Sequence, residues 1–235
     1  MVISENIINS IEQYSNDTVF FFPSSATIYE GYKNITVDEE TIPKPKTNYS
    51  KSKYYIQKSI NKINLNSDLH LNTGIMFSHE SEYRRSNFFT KKIIEFLVKY
   101  KELNNIKIDV GDISLKRDIG YAKEYVDAIY LIMQENYKKE FIVSSNSLSQ
   151  LSDFIDCCLN ILEIDFFIDR SGQYIKYIDK KNNFNFISSD PKEFRKYDLK
   201  GVKGDNSRIL SELGWAPKLD LEKISRKMIE YEFKK

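Results

Sequence analysis

Three compact apolar runs, VFFFPSS at 19–25, LHLNTGIMF at 69–77 and EFIVSSN at 140–146, are separated by stretches whose large apolar residues recur at helical spacing. Ile7, Ile8, Ile11 and Tyr14 follow Ser4, a helix N-cap. Ile56, Ile60 and Ile63 mark one face of a helix over 48–64, and amphipathic helices are expected over 87–103 and 120–134, with KIDV as a short strand between them. Strands that alternate with helices must pair in parallel, with the helices covering the sheet. Few other architectures accommodate this order.

From about residue 148 the pieces shorten. A helix carrying Leu151, Ile155, Cys158 and Leu162 precedes FFIDRS, YIKYID and NFNFIS, set among polar turns such as KNNFN near residue 181. Two terminal helices follow, the first stopping at Leu213 and Gly214, the second running from about Leu221. The expected fold is α/β: a partial Rossmann-type parallel sheet with helices over 1–147, some of whose segments join a smaller C-terminal α+β cap, itself mainly 148–235.

Lysine and arginine number 35 against 34 acids, so no overall field favours nucleic acid or an anionic membrane surface. The first residues mix Glu5, Asn6, Asn9 and Glu12 among their isoleucines, which excludes a signal-peptide core there, and Asp127 interrupts the longest apolar stretch. No nucleic-acid or membrane partner is expected, and the expected location is cytoplasmic. Cys157 and Cys158 are adjacent, a spacing suited neither to an ordinary disulfide nor to two arms of a zinc site, so they read as helix packing residues in a reducing compartment. No metal site is expected.

The chemistry concentrates in two neighbouring segments. In Tyr49-Ser50-Lys51-Ser52-Lys53 the first and last residues share a helix face, so the ammonium can approach the phenol and favour its ionised form. A tyrosinate serves as acid or base for an alcohol that loses or gains hydride. Tyr-x-x-x-Lys alone is equally a solvated helix face. Upstream, however, PSSATIYE puts Ser24 and Ser25 at the C-terminal end of a parallel strand, the edge where open α/β sheets bind ligands. Ser25 then addresses the same substrate oxygen as Tyr49.

Strand, serine loop and Tyr/Lys helix in this order resemble the active site of extended short-chain dehydrogenases/reductases acting on nucleotide sugars. NTGIMFSHESEYRRSNFFTKKI, VGDISLKRDIGYAKEYVDAIYLIMQ, FIVSSNSLSQLSDF, EFRKYDLKGVKGD and LGWAPKLDLEKISRKMIE are similar to blocks of GDP-mannose 4,6-dehydratases, so the resemblance covers about residues 5 to 232. It implies an NADP- or NAD-linked enzyme that oxidises a GDP-hexose at C4 and then eliminates water. By position it implies Ser25, Tyr49 and Lys53 as the catalytic triad, with Tyr49 and Lys53 also on the nicotinamide ribose. His79 and Arg84 fall at the cofactor site, Lys92 and Arg117 at the sugar-nucleotide pyrophosphate, and Arg195 and Asp198 at the nucleoside.

Two departures shape the expectation. None of the eight glycines forms the Gly-rich strand-to-helix turn that cradles a dinucleotide pyrophosphate, so relative to the family the first four strand-helix units are expected to be missing. An exposed sheet edge would follow, covered by a second copy of the chain or by a complementing N-terminal fragment. Second, the family's acid two positions after the catalytic serine is Thr27 here, and Glu30 has the wrong spacing to replace it. Ser78 and Tyr83 also depart from the family's pattern around the HES block. SSATIYE resembles instead the loop of UDP-galactose 4-epimerases, which implies epimerase or ketoreductase chemistry as the alternative. A noncatalytic remnant, or one piece of a split enzyme, is the alternative of another class.

Overall fold

The computed structural model describes residues 2–134, 137–171, 175–194 and 199–235. In chain order the elements are α1 (Val2–Tyr14), β1 (Val19–Ser25), β2 (Lys33–Val37), α2 (Asn48–Asn64), β3 (His70–Met76), β4 (Ser78–Glu80) and α3 (Phe89–Leu103), then β5 (Ile108–Val110), β6 (Lys116–Tyr121), α4 (Ala122–Gln134), β7 (Glu140–Val143), β8 (Leu148–Gln150) and α5 (Leu151–Ile161). The remainder comprises β9 (Phe166–Asp169), β10 (Ile175–Asp179), β11 (Asn185–Ser189), β12 (Lys200–Gly204), α6 (Ser207–Leu213) and α7 (Leu221–Glu232). These form two compact units that interleave along the chain. One holds Met1–His79, Arg117–Leu148 and Leu199–Lys218, the other Glu80–Lys116, Ser149–Asp198 and Leu219–Lys235. The chain passes between the units at 79/80, 116/117, 148/149, 198/199 and 218/219.

The first unit is built on a parallel sheet in the order β1-β3-β7. Alternation along each strand sends Phe22 and Leu71 to one face, where they join Ile8 and Ile11 of α1 and Ile56 and Ile60 of α2. Phe141 and Val143 of β7 go to the other face, against Tyr125, Ala128 and Ile132 of α4, Ile209 of α6 and Trp215. Ile56 and Ile60 are almost wholly removed from water. Each such side chain contributes roughly 1.5–3 kcal/mol, which explains why a helix with many polar residues holds its position. A second, two-stranded parallel pairing joins β2 to β12, with Val37 and Val202 in a core that includes Ile28, Tyr29, Ile75, Phe77 and Ile142.

The second unit has a four-stranded sheet, β5-β11-β10-β9, parallel at β5/β11 and antiparallel elsewhere. Tyr100 of α3 stacks on Phe186 at 4.6 Å between ring centroids and donates its hydroxyl to Asp179 at 2.8 Å. α3 is tied to α7 by the ion pair of Lys91 with Glu232. Cys158 is buried within α5 and Cys157 half-buried, both as free thiols.

The expected helix over 120–134 begins only at Ala122, because Asp118 to Tyr121 are all buried in β6 and the chain stays extended until Tyr121. α6 ends as expected: Gly214 adopts φ 67°, the left-handed conformation that glycine tolerates best. Among the described residues, no helix is long and apolar enough to cross a membrane.

Candidate active site

β1, β3 and β7 run parallel, so their C-terminal ends share one edge of the sheet, and Ser25 is the last residue of β1 there. Its extended backbone, φ −148° and ψ 141°, caps a short 3-10 turn over Ala26–Tyr29. The Ser25 hydroxyl oxygen accepts the Thr27 N–H at 3.3 Å and the Thr27 hydroxyl at 3.0 Å. Both bonds occupy its acceptor side. The hydroxyl hydrogen stays available to donate.

α2 begins where it does because Thr47 and Ser50 form a reciprocal capping box. Glu30, at the end of the 3-10 turn, reinforces the cap. Its carboxylate accepts the Lys46 N–H at 3.1 Å, the Thr47 N–H at 3.0 Å, the Thr47 hydroxyl at 3.1 Å and the Ser50 hydroxyl at 2.8 Å. A negative charge at a helix N-terminus is itself stabilising. The loop that ends in Glu30 and the helix that carries Tyr49 and Lys53 are therefore fastened together.

Tyr49 is more than half exposed on the first turn of α2. One turn on, the Lys53 ammonium donates to the Pro23 carbonyl at 2.6 Å and lies 5.0 Å from the Phe22 ring centroid. It stands 5.8 Å from the centroid of the Tyr49 ring, so its direct bond is to the β1 backbone rather than to the phenol. Desolvation holds the Lys53 pKa below the ordinary lysine value. One residue before Ser25, the buried Ser24 hydroxyl donates to Gln57 of α2 at 2.5 Å. Gln57 was not singled out from the sequence. Its signal is the spacing: it stands four residues past Lys53 and eight past Tyr49.

The other expected site residues distribute as follows. His79 belongs to the first unit; its Nδ1 lies 2.8 Å from the Phe77 carbonyl oxygen and its ring 5.3 Å from that of Tyr125. Arg84 belongs to the second unit, where it pairs with Glu80 at 3.2 Å and stacks over Phe88 at 3.6 Å. Burial raises the pKa of Glu80 against the lowering effects of Arg84 and Thr90. Lys92, also in the second unit, is exposed and donates to the Asp109 carbonyl at 3.3 Å. Arg117, in the first unit, donates to the Leu199 carbonyl. Arg195 and Asp198 lie outside the described residues. The structure thus bonds Lys53 to the peptide leading into Ser25 and places its ammonium 5.8 Å from the Tyr49 ring centroid. Among the described residues, no group of histidine, cysteine or carboxylate side chains is arranged to hold a metal ion.

A family model described as GDP-mannose 4,6 dehydratase matches residues 4–228. GDP-mannose 4,6 dehydratases of Cricetulus griseus and Homo sapiens are each 25% identical to this chain, over 217 and 216 residues, covering 92% and 91% of it and 58% of each relative. The chain spans less than two-thirds of the length of these relatives. Among solved structures, RMD from Pseudomonas aeruginosa complexed with NADPH matches with a TM-score of 0.80 at 16% identity, covering 100% of this chain and 73% of that one. dTDP-glucose 4,6-dehydratase from Bacillus anthracis in complex with NAD matches with a TM-score of 0.81 at 13% identity, covering 98% and 66%. At these identities the likeness establishes the fold, a Rossmann-type α/β sheet with its accompanying second unit.

Proposed function

From the premise that this chain belongs to the GDP-mannose 4,6 dehydratase family, we propose that it supplies the acid–base part of an enzyme that oxidises a nucleotide-bound hexose, a GDP-hexose first, at C4. One observation carries the proposal: the Lys53 ammonium joins the Tyr49 helix to the peptide that leads into Ser25, at the ligand-binding edge of a parallel sheet.

The residues present fit the nicotinamide-ribose end of NADP or NAD, for the half-buried Lys53 ammonium and the exposed Tyr49 phenol offer hydrogen bonds side by side to a ribose. They do not supply the pyrophosphate cradle, since the sequence holds no Gly-rich strand-to-helix motif, so the fit is to the nicotinamide-ribose end alone. When bound, the cofactor would supply the hydride acceptor for oxidation at C4. Tyr49 takes the proton from the C4 hydroxyl, Lys53 supplies the neighbouring positive charge, and Ser25 donates a hydrogen bond to the same oxygen. The proposal further assigns His79 and Arg84 to the cofactor, Lys92 and Arg117 to the substrate pyrophosphate, and Arg195 and Asp198 to the nucleoside.

Elimination of water from the 4-keto sugar needs a base for the C5 proton. Thr27 stands where relatives place an acid, its hydroxyl is engaged with Ser25, and the Glu30 carboxylate is committed to the cap of α2. This favours a second reading, in which the chemistry ends with redox at C4, as in a 4-epimerase or ketoreductase.

The test is to titrate the protein with NADP(H) and with GDP, then incubate it with GDP-mannose and oxidised cofactor and weigh the product nucleotide sugar. A product lighter by one water supports dehydration; a sugar of unchanged mass with inverted C4, or one oxidised only there, supports the second reading. If neither NADP(H) nor GDP binds, the chain is a noncatalytic remnant or requires its complementing segment, and catalysis by this polypeptide alone is ruled out.

A further inference from the structure

Tyr49, Lys53, Gln57 and Asn61 recur every four residues and so form one stripe along α2. The last three are each bonded to the sheet. Lys53 donates to the Pro23 carbonyl at 2.6 Å, Gln57 accepts the Ser24 hydroxyl at 2.5 Å, and Asn61 donates its amide to the Glu140 carboxylate of β7.

Ser24 and Gln57 are 3% and 2% exposed, and the flanking positions Ile56 and Ile60 are apolar and buried. A leucine at position 57 would fill such a site without a polar group to desolvate. The glutamine instead holds a single peptide. The carbonyl of the Pro23–Ser24 peptide is gripped by Lys53, the side chain on its far end by Gln57, and Ser25 follows directly. We infer that Gln57, through its bond from the Ser24 hydroxyl, is a positioning residue of the site: it fixes the Pro23–Ser24 peptide so that the Lys53 ammonium and the Ser25 hydroxyl are presented together at the end of β1. This rests on the acid–base role proposed above for Ser25, Tyr49 and Lys53.

The experiment reads Lys53 directly, with neither cofactor nor sugar present. In 15N-labelled protein the side-chain ammonium resonance of Lys53 is assigned by its disappearance in Lys53→Arg, and its proton exchange with water is measured. A bonded, half-buried ammonium exchanges slowly. Gln57→Leu is expected to speed that exchange roughly tenfold, the scale of one lost hydrogen bond. Ser24→Ala, a one-atom deletion that keeps the test available if Gln57→Leu does not fold, is expected to do the same. Asn61→Ala removes the next bond of the stripe to the sheet but leaves the Ser24–Gln57 bond, so exchange is expected to stay within about twofold of wild type on the same scale. Unchanged exchange in the folded Gln57 and Ser24 variants overturns the inference, as does equal acceleration in Asn61→Ala or a wild-type ammonium that exchanges as fast as the surface lysines. An inactive protein whose Lys53 behaves as expected counts against the proposed activity and not against this role.

Discussion

Asp118 accepts both the backbone N–H and the hydroxyl of Ser145, each at 2.7 Å, and takes the Gly204 N–H on its other oxygen at 3.1 Å. Desolvation outweighs these bonds and pushes its pKa up to about 6. A carboxyl whose folded pKa exceeds its unfolded value binds its proton more tightly when folded, so its contribution to stability falls as pH rises. The window runs from about 4 to about 6, and a two-unit shift corresponds to roughly 3 kcal/mol at most. Asp118→Asn removes that titration. The stability gap between wild type and variant, measured by urea denaturation, is expected to be largest near pH 4 and to shrink as pH approaches 7; a gap that ignores pH rules out the raised pKa.

Lys91 is 1% exposed and pairs with Glu232 at 2.6 Å, joining α3 to α7. Burial would raise the Glu232 pKa, but the Lys91 bond and charge lower it below the ordinary value. Lys91→Met leaves that carboxylate to the Lys235 ammonium alone, 3.3 Å away. The expected loss is about 2 kcal/mol in equilibrium unfolding, short of that for a fully buried charge left without any partner. Lys91→Met combined with Glu232→Leu should lose less than the sum of the two single changes, because the pair fails together. Additive losses would show that the two charges do not interact.

Gly120 and Gly214 resist substitution to different degrees and for different reasons. A Cβ at Gly120 would sit 2.3 Å from a ring carbon of the buried Tyr125, whereas at Gly214 it would meet nothing within 4 Å. Gly120→Ala is expected to destabilise by about 3 kcal/mol or to prevent folding, from overpacking. Gly214→Ala is expected to lose only about 1 kcal/mol, from its left-handed backbone. Thermal melts of the two variants, with Tyr125→Leu added to relieve the first, separate the causes. Rescue of Gly120→Ala alone is the expected result.

For the C4 oxidation proposed above, Tyr49→Phe is expected to lower the rate by roughly 10²–10⁴-fold, the range for loss of a positioned acid–base group. Thr27→Glu places a carboxylate at the position where the resemblance to dehydratases implies an acid. Its expected effect is a larger share of product lighter by one water, read by mass spectrometry. A product distribution that does not move would remove position 27 from the choice between elimination and simple redox.

The elements that write their own ends were legible in the sequence. α2 spans 48–64 as expected because Thr47 and Ser50 cap it and three isoleucines mark its inner face, and VFFFPSS declares a strand by composition, although only Phe22 and Ser24 in it are buried because β1 lies at the end of the β1-β3-β7 order. β2 and β12 were not legible. KNITV and KGVKG are short and largely polar, and each becomes a strand only by pairing with the other, from Lys33 to Lys200, far apart in the chain. β6 was half hidden, because its last four residues are all buried and show no alternation. At the proposed site, Ser25, Tyr49 and Lys53 were candidates by motif, whereas Gln57 looks like one more polar residue on a wet helix until Ser24 is folded against it.

Glu30 holds the departure and the return of the 31–46 excursion at one place, aided by hydrogen bonds from Gly31 to the Lys44 carbonyl and from Lys44 to the Ile28 carbonyl. The distance in space between the serine and the tyrosine is set by that knot and not by how many residues lie between them. Within the excursion, β2, Val37 and Glu39 are held by β12, the core and Arg208, so length can change without moving the proposed site only in the turn around 40–43. Two descendants with the same site can differ there by a few residues, and a search keyed to a fixed interval between the motifs would overlook one of them.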